Sequence, residues 1–364
     1  MVPKGWEFSK LGNVAELQRG FDLPSTKRID GNIPIVSSSG VSGYHNEYKV
    51  EKPGIVTGRY GSIGNVYYVE ENFWPLNTSL WVKNFHSNYP KFIYYLLSSF
   101  DFKKFSDKTG VPGVNRNDLH AVKVAVPPLL EQKKIVKILS TWDKAISTTE
   151  RLIENSTQQK KALMQQLLTG KKRLLDESGQ QFSDKWKKVE LGKLLDYEQP
   201  TPYLVKSTDY LDEYMTPVLT AGKTFILGYT DEEFGVFADK LPVIIFDDFT
   251  TASKFVDFPF KAKSSAMKML TAKDGFSIKY IFEAMQFLNF AVGGHQRHWI
   301  SIFSNLAISL PSIEEQQKIA TVLTNADKEI ELLEQQLADL QQEKKALMQV
   351  LLTGKKRVIS LECK

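Results

Sequence analysis

The chain has 364 residues, room for two or three domains with their own cores. At 42% hydrophobic and 24% charged it has the composition of an ordinary globular protein, and no apolar run approaches a membrane-spanning length. A formal charge of +5 permits a polyanionic partner without requiring one, and a single cysteine, Cys363, excludes an intrachain disulfide and a cysteine-based zinc site.

In chain order, Met1-Val2-Pro3-Lys4-Gly5-Trp6 lacks the pattern of a signal peptide, so the cytoplasm is the expected compartment and no membrane partner is expected. Trp6…Leu11-Gly12 opens a first globular segment, residues 1–127. Within it Gly54-Ile55-Val56-Thr57 and Asn65-Val66-Tyr67-Tyr68-Val69 are predicted strands between turn residues, and residues 91–100 a predicted amphipathic helix. Residues 128–173 follow as a long helical region. Ile135, Leu139, Trp142, Ile146, Thr149, Ile153, Ser156, Lys160, Leu163 and Leu167 step by four and three, the seam of a coiled coil. A second globular segment, 174–310, opens with Trp186…Leu191-Gly192, has a predicted strand over 241–246 and a predicted helix over 278–288. Residues 311–364 form a second helical region with the seam Ile319, Leu323, Ala326, Ile330, Leu333, Leu337, Leu340, Lys344, Leu347 and Leu351.

The two helical regions are copies 184 residues apart. Glu131-Gln132-Lys133-Lys134-Ile135 returns as Glu315-Gln316-Gln317-Lys318-Ile319, and Leu167 to Arg173 returns unchanged as Leu351 to Arg357. Pro127-Pro128 and Pro311 are expected in the first helical turns, and Gly170 and Gly354 at the C-terminal caps. The Lys-Lys-Arg after each glycine suits the negative helix end, and Lys160 and Lys344 are expected to snorkel at the seam edge. A helix of about 40 residues is roughly 60 Å long and cannot bury its stripe alone. The two are therefore expected to pair as an antiparallel coiled coil. The globular segments also share a skeleton: Pro34-Ile35-Val36 matches Pro217-Val218-Leu219, and Gly43-Tyr44 matches Gly228-Tyr229. The expected class is α+β, with two globular domains alternating with two long helices in a pseudo-twofold arrangement.

This pattern resembles the specificity (S) subunit of type I restriction–modification systems. Four features carry the resemblance across the whole chain: Pro-x-x-x-Glu-Gln at each helix start, Leu-Leu-Thr-Gly-Lys-Lys-Arg at each helix end, Trp-x4-Leu-Gly opening each globular segment, and Gly-Arg-Tyr-Gly-Ser-Ile-Gly at 58–64. The resemblance implies a non-catalytic reader of double-stranded DNA, with each globular domain a target-recognition domain for half of a split, asymmetric site. It implies that the helices set the half-site spacing and dock two methyltransferase (M) subunits, which motor-nuclease (R) subunits join in the full complex. It implies no cofactor on this chain; S-adenosylmethionine, ATP and Mg would sit on the partners. A coiled-coil scaffold that binds no nucleic acid is the competing reading. It gives no reason for one skeleton to carry a Gly- and Arg-rich loop in one domain and an Asp- and Thr-rich loop in the other.

Recognition is expected in loops held by rigid elements. In the first domain Arg59, Tyr60 and Ser62 lie in the glycine-rich run, where Arg59 suits a guanine edge or a phosphate. Ser38, Ser39, Asn77 and Thr78 offer polar groups nearby in the pattern, and Lys108, Asn115 and Arg116 form a later polar, basic stretch. A plain glycine hairpin with Arg59 in a surface ion pair is the bland alternative. In the second domain Arg59 aligns near Asp247, and an acidic residue there would accept from a cytosine amino group. Asp248, Thr250, Thr251 and Lys254 follow it. Lys223 and Thr224 align with the Ser38 loop, and His295, Gln296, Arg297 and His298 with the stretch ending at Arg116. Gln296 suits adenine.

Catalytic patterns are missing from the sequence. Gly170-Lys171-Lys172 lacks the earlier glycine and the hydroxyl of a phosphate-binding loop, His295-x-x-His298 has no third ligand in its motif, and no adenine-methyltransferase Asn-Pro-Pro-Tyr run occurs.

Overall fold

The computed structural model describes residues 3–106, 113–222, 224–288 and 298–358. The first globular segment holds β1 (Glu7–Lys10), β2 (Glu16–Arg19), β3 (Ile33–Ser37), β4 (Gly40–His45), β5 (Gly54–Gly58), β6 (Val66–Val69), β7 (Trp74–Pro75), β8 (Ser79–Asn84), α1 (Pro90–Ser98), α2 (Arg116–Ala121) and β9 (Lys123–Val126). The first long helix, α3, spans Leu129–Leu167. The second segment holds β10 (Lys187–Glu190), α4 (Leu191–Leu194), β11 (Leu195–Glu198), β12 (Thr216–Leu219), β13 (Ile226–Thr230), β14 (Val243–Asp247), β15 (Ser253–Val256), β16 (Lys261–Ala262), β17 (Met267–Ala272), α5 (Ile278–Phe287), α6 (His298–Ser301) and β18 (Ala307–Leu310). The second long helix, α7, spans Ile313–Leu351.

The chain folds into two compact units, Met1–Glu150 with Gln335–Lys364, and Arg151–Glu334. Each unit takes one globular segment and part of both long helices. The first unit contains sheets ordered β2-β8-β5-β6 and β4-β3-β7, with β1 paired to β9. The second contains β11-β17-β14-β15 and β13-β12-β16, with β10 paired to β18. The topologies are the same, strand for strand. Each central strand is apolar because both its faces are covered: β5 and β14 are buried at every position.

The helices enter the globular cores. Ile135 and Leu139 of α3 join Leu351 of α7 around Leu17, Ile55 and Phe92 in the first unit. Ile319 and Leu323 of α7 join Leu167 of α3 around Ile244, Phe246 and Tyr280 in the second. Burying each such Leu or Ile contributes about 1.5–3 kcal/mol, which fixes each helix end to its domain. Within each unit the helices run antiparallel. Asp143 and Glu131 of the first copy bond Lys344 and Arg357 of the second, and Ser156 and Lys160 bond Glu329 and Asp327, so numbers rise along one partner as they fall along the other.

Two local expectations are corrected. The prolines stand before the helices: the Pro128 carbonyl accepts from Glu131 N (2.9 Å) and Gln132 N (3.0 Å), and Ser312 does the same work for α7, accepting from Gln316 N at 2.9 Å. The capping glycines fall where expected, Gly170 and Gly354 both at φ 72°. Lys160 and Lys344 do not snorkel; Lys160 Nζ lies 2.5 Å from Asp327, and Lys344 bonds Asp143.

The repeated arginine does more than face a helix dipole. Arg357 Nε and Nη2 both donate to Glu131 at 2.8 Å, while Trp6 Nε1 donates to the same carboxylate at 3.0 Å. In the second unit Arg173 donates twice to Glu315, at 2.6 and 2.7 Å, and Trp186 Nε1 donates at 3.0 Å. Gln132 Oε1 accepts from Tyr89 N at the start of α1, and Gln316 Oε1 from Ser277 N at the start of α5. The motifs at the domain opening, helix start and helix end therefore meet in one bonded cluster per unit.

Candidate nucleic-acid interface

In the first unit three loops converge at one end of the β2-β8-β5-β6 sheet. The β3–β4 turn is tied by Ser37 Oγ, which donates to Gly40 O (3.0 Å) and accepts from Ser39 N (3.2 Å), leaving Ser39 exposed and Ser38 half-buried. A side chain on Gly61 would meet Ser38 Oγ at 3.5 Å, so the glycine-rich run lies beside this turn. Thr78, between β7 and β8, accepts through its carbonyl from Arg59 N (3.0 Å) and Tyr60 N (3.2 Å). Its neighbour Asn77 donates to Asp22. Gly58 has to be glycine, because a Cβ there would sit 2.2 Å from Ser62 O. A Cβ on Gly113 would lie 2.4 Å from the Tyr60 ring, which would have to shift to admit it.

Arg59 is held by its backbone and free at its head. Its carbonyl accepts from Val114 N at 2.9 Å, and its guanidinium stacks on the Tyr60 ring 4.5 Å from the centroid. Among the described residues the guanidinium has no hydrogen bond or ion pair. Asn115 is a helix cap, accepting from Asn117 N at 3.0 Å. Arg116 is exposed and lines a cleft of about 340 Å³ with Lys10, Glu16 and His120. His120 Nε2 accepts from Leu17 N at 2.8 Å; burial, then the Arg116 charge, hold the imidazole below its ordinary pKa and neutral.

The second unit presents the same sheet end with other chemistry. Asp247 Oδ1 accepts from Phe249 N (2.9 Å) and Oδ2 from Thr250 Oγ1 (2.7 Å), which makes Asp247 the clasp of the β14–β15 turn. Thr251 completes it at φ 61°. Asp248 is 1% exposed; its Oδ1 accepts from Trp299 N at 2.9 Å and its Oδ2 lies 3.4 Å from Lys268 Nζ. His298 is fully buried, with Nδ1 3.0 Å from the Asp248 carbonyl. Thr250 and Lys254 are exposed, and Lys254 Nζ lies 6.0 Å from the Phe225 ring. Thr224 is exposed, its carbonyl accepting from Thr220 Oγ1 at 2.6 Å. Lys108, Lys223, His295, Gln296 and Arg297 lie outside the described residues.

Strand register corrects the expected alignment. Gly58 pairs with Ser79 where Asp247 pairs with Met267. Arg59 N donates to Thr78 O as Asp248 N donates to Ala266 O, and Arg59 O accepts from Val114 N as Asp248 O accepts from His298 N. Arg59 thus corresponds to Asp248, one residue beyond Asp247. Leu11 N to Val122 O likewise matches Leu191 N to Leu306 O, which sets Arg116 against Ile300 and not Arg297. Asp247, Asp248 and His298 engage polar groups inside the domain: Asp247 clasps its turn, Asp248 accepts from Trp299 N beside Lys268, and His298 Nδ1 lies against the Asp248 carbonyl. Lys268 was missed. A lysine inside the apolar run Met267-Lys268-Met269-Leu270 was the available signal, since a buried ammonium needs a counter-charge.

A family model described as the type I restriction modification DNA specificity domain matches residues 3–156 and again 183–342. The chain belongs to this family. It is a specificity subunit with two repeated target-recognition domains. It is 56% identical over 133 residues to the EcoR124I/EcoR124II specificity subunit of Escherichia coli, a match covering 35% of this chain and 33% of that one. With the putative MjaX specificity subunit of Methanocaldococcus jannaschii it shares 29% identity over 418 aligned positions, covering 98% and 95% of the two chains. The crystal structure of the type I restriction–modification S subunit from M. genitalium has the same fold, with a TM-score of 0.68 at 16% identity over 95% of this chain and 96% of that one. Among the described residues no helix is long and apolar enough to cross a membrane.

Proposed function

We propose that this specificity subunit reads a bipartite, asymmetric site in double-stranded DNA, one half through each target-recognition domain. It docks two adenine methyltransferase subunits through its helices, and motor-nuclease subunits complete the assembly. The subunit itself is non-catalytic; S-adenosylmethionine, ATP and Mg belong to its partners. The observation that carries this reading is the pairing of one framework with two chemistries. The Trp–Glu–Arg clusters and sheet orders repeat. At the matched sheet end the first domain offers an arginine whose guanidinium is unpaired among the described residues, and the second a threonine-rich turn with its aspartates turned inward. A repeated framework suits equivalent protein partners, and divergent tips suit different half-sites. Ser38, Ser39, Arg59, Tyr60, Ser62, Asn77, Thr78 and Arg116 are the proposed contacts in the first domain, and Thr224, Thr250, Thr251 and Lys254 in the second.

A gel shift with the methyltransferase subunits present, at 50 and 200 mM salt, tests the reading. A sequence-selective complex that weakens by roughly 10³- to 10⁵-fold between the two is expected for six to ten phosphate contacts. A complex insensitive to salt, or none at either salt, contradicts it.

A further inference from the structure

Position 59 and its counterpart 248 are held by the same two backbone bonds but have opposite fates. Asp248 turns inward to Lys268 and to the start of α6. Arg59 turns onto Tyr60 with all its guanidinium donors unused among the described residues. We infer that Arg59 determines specificity for a guanine in the half-site read by the first domain, and that the second domain does not read with the equivalent position. This rests on the one-domain, one-half-site reading proposed above.

Three features favour a base edge over a phosphate. First, the Arg59 backbone is fixed on both sides, at N by Thr78 O (3.0 Å) and at O by Val114 N (2.9 Å), so its Cα is placed by the sheet. Second, the guanidinium stacks on the Tyr60 ring, 4.5 Å from its centroid, and the Tyr60 backbone is bridged to Gly113. Stacking biases the plane of the guanidinium before binding, and less rotamer entropy is lost when its fork is engaged. Third, the two parallel donors of a guanidinium match the O6 and N7 acceptors of guanine, a geometry that needs a fixed plane. A phosphate can take the same fork, but it is also served by a lysine's point charge, whereas the paired acceptors of a guanine edge require the fork.

The contrast with the second domain supports the assignment. Were the position only a phosphate anchor, both domains would have reason to keep a cation there, because backbone phosphates are the same at either half-site. The second domain instead carries a carboxylate and buries it against its own lysine, which leaves no outward charge at that point.

The test is methylome sequencing of cells expressing the subunit with its methyltransferase partner, for wild type, Arg59→Ala and Arg59→Lys. Wild type should give a bipartite motif with a fixed guanine in one half. Arg59→Ala should relax that one position, with discrimination against other bases falling roughly 10- to 100-fold. The other half should stay intact, which reports that the subunit still folds and assembles. Arg59→Lys keeps the charge but loses the fork, and should relax the same position. If Arg59→Ala fails to assemble, Arg59→Lys carries the test. An unchanged motif in both variants overturns the inference, as does uniform weakening at an unchanged motif with rescue by lysine, the signature of a phosphate anchor. A wild-type methylome without a bipartite motif would instead overturn the reading beneath it.

Discussion

Glu131 shows how one side chain joins three parts of the chain. Burial pushes its carboxyl up, but the hydrogen bonds from Arg357 and Trp6, the Arg357 charge and the Val358 N–H together hold it below its ordinary value of 4.5. A depressed carboxyl contributes stability that is fully present above the unfolded value and is lost as pH falls through the folded one. Glu131→Gln should therefore lower the melting temperature of the full chain at pH 7, and the gap from wild type should close as pH drops below about 4.5. A gap that stays constant across pH 3.5–7 would mean that the charge does not contribute. None of this was legible at the residue scale from sequence. The Glu and the Arg are 226 positions apart, so only the fold reveals that two separately repeated motifs are one bond. The reading of Arg59 against Asp247 missed by one residue for a related reason: the loops differ in length and share little identity, and only the strand register locates them.

The long helices were the most legible elements, because an uninterrupted heptad pattern needs no knowledge of distant partners. The predicted strands and shorter helices also fell within two residues of their observed limits, as Gly54–Gly58 and Ile278–Phe287 show. The edge pairs β1–β9 and β10–β18 went unread because each joins the ends of a domain across more than 100 residues. At the matched helix crossings the two copies differ. In the first unit Lys344 bonds Asp143, which also accepts from the Tyr95 phenol; burial, then that bond, push the phenol's pKa up, so it stays a donor. In the second, Lys160 and Lys279 share Asp327 with Glu283, a carboxylate that is fully buried. Removing a lysine is costlier where it weakens the compensation of a buried charge, and without Lys160 the buried Glu283 keeps only Lys279 of the two, at 2.8 Å. Lys160→Met is expected to destabilise its unit by about 2 kcal/mol and Lys344→Met by about 1 kcal/mol. Hydrogen exchange on the intact chain should show loss of protection in α5 for the first variant and a smaller loss in α1 for the second. Equal losses, or the reverse order, would argue against Glu283 as the source of the difference.

At the scale of the whole molecule the duplication separates what repeats from what differs. The repeated part consists of sheet orders, helix ends and Trp–Glu–Arg clusters, each of which is bonded within its unit. Besides the helix crossings, the copies differ at the sheet ends, where the Ser37 turn becomes the Thr220 turn and Arg59 becomes Asp248. If each domain reads its own half-site, exchanging only those loops in one domain should change only one half of the target. The most direct measurement is the methylome of a chimera in which residues 220–225 and 248–252 come from another specificity subunit of known target, expressed with the same methyltransferase. The account predicts a new sequence in one half of the motif, with the other half and the spacing unchanged. Changes in both halves, or in neither, would contradict it.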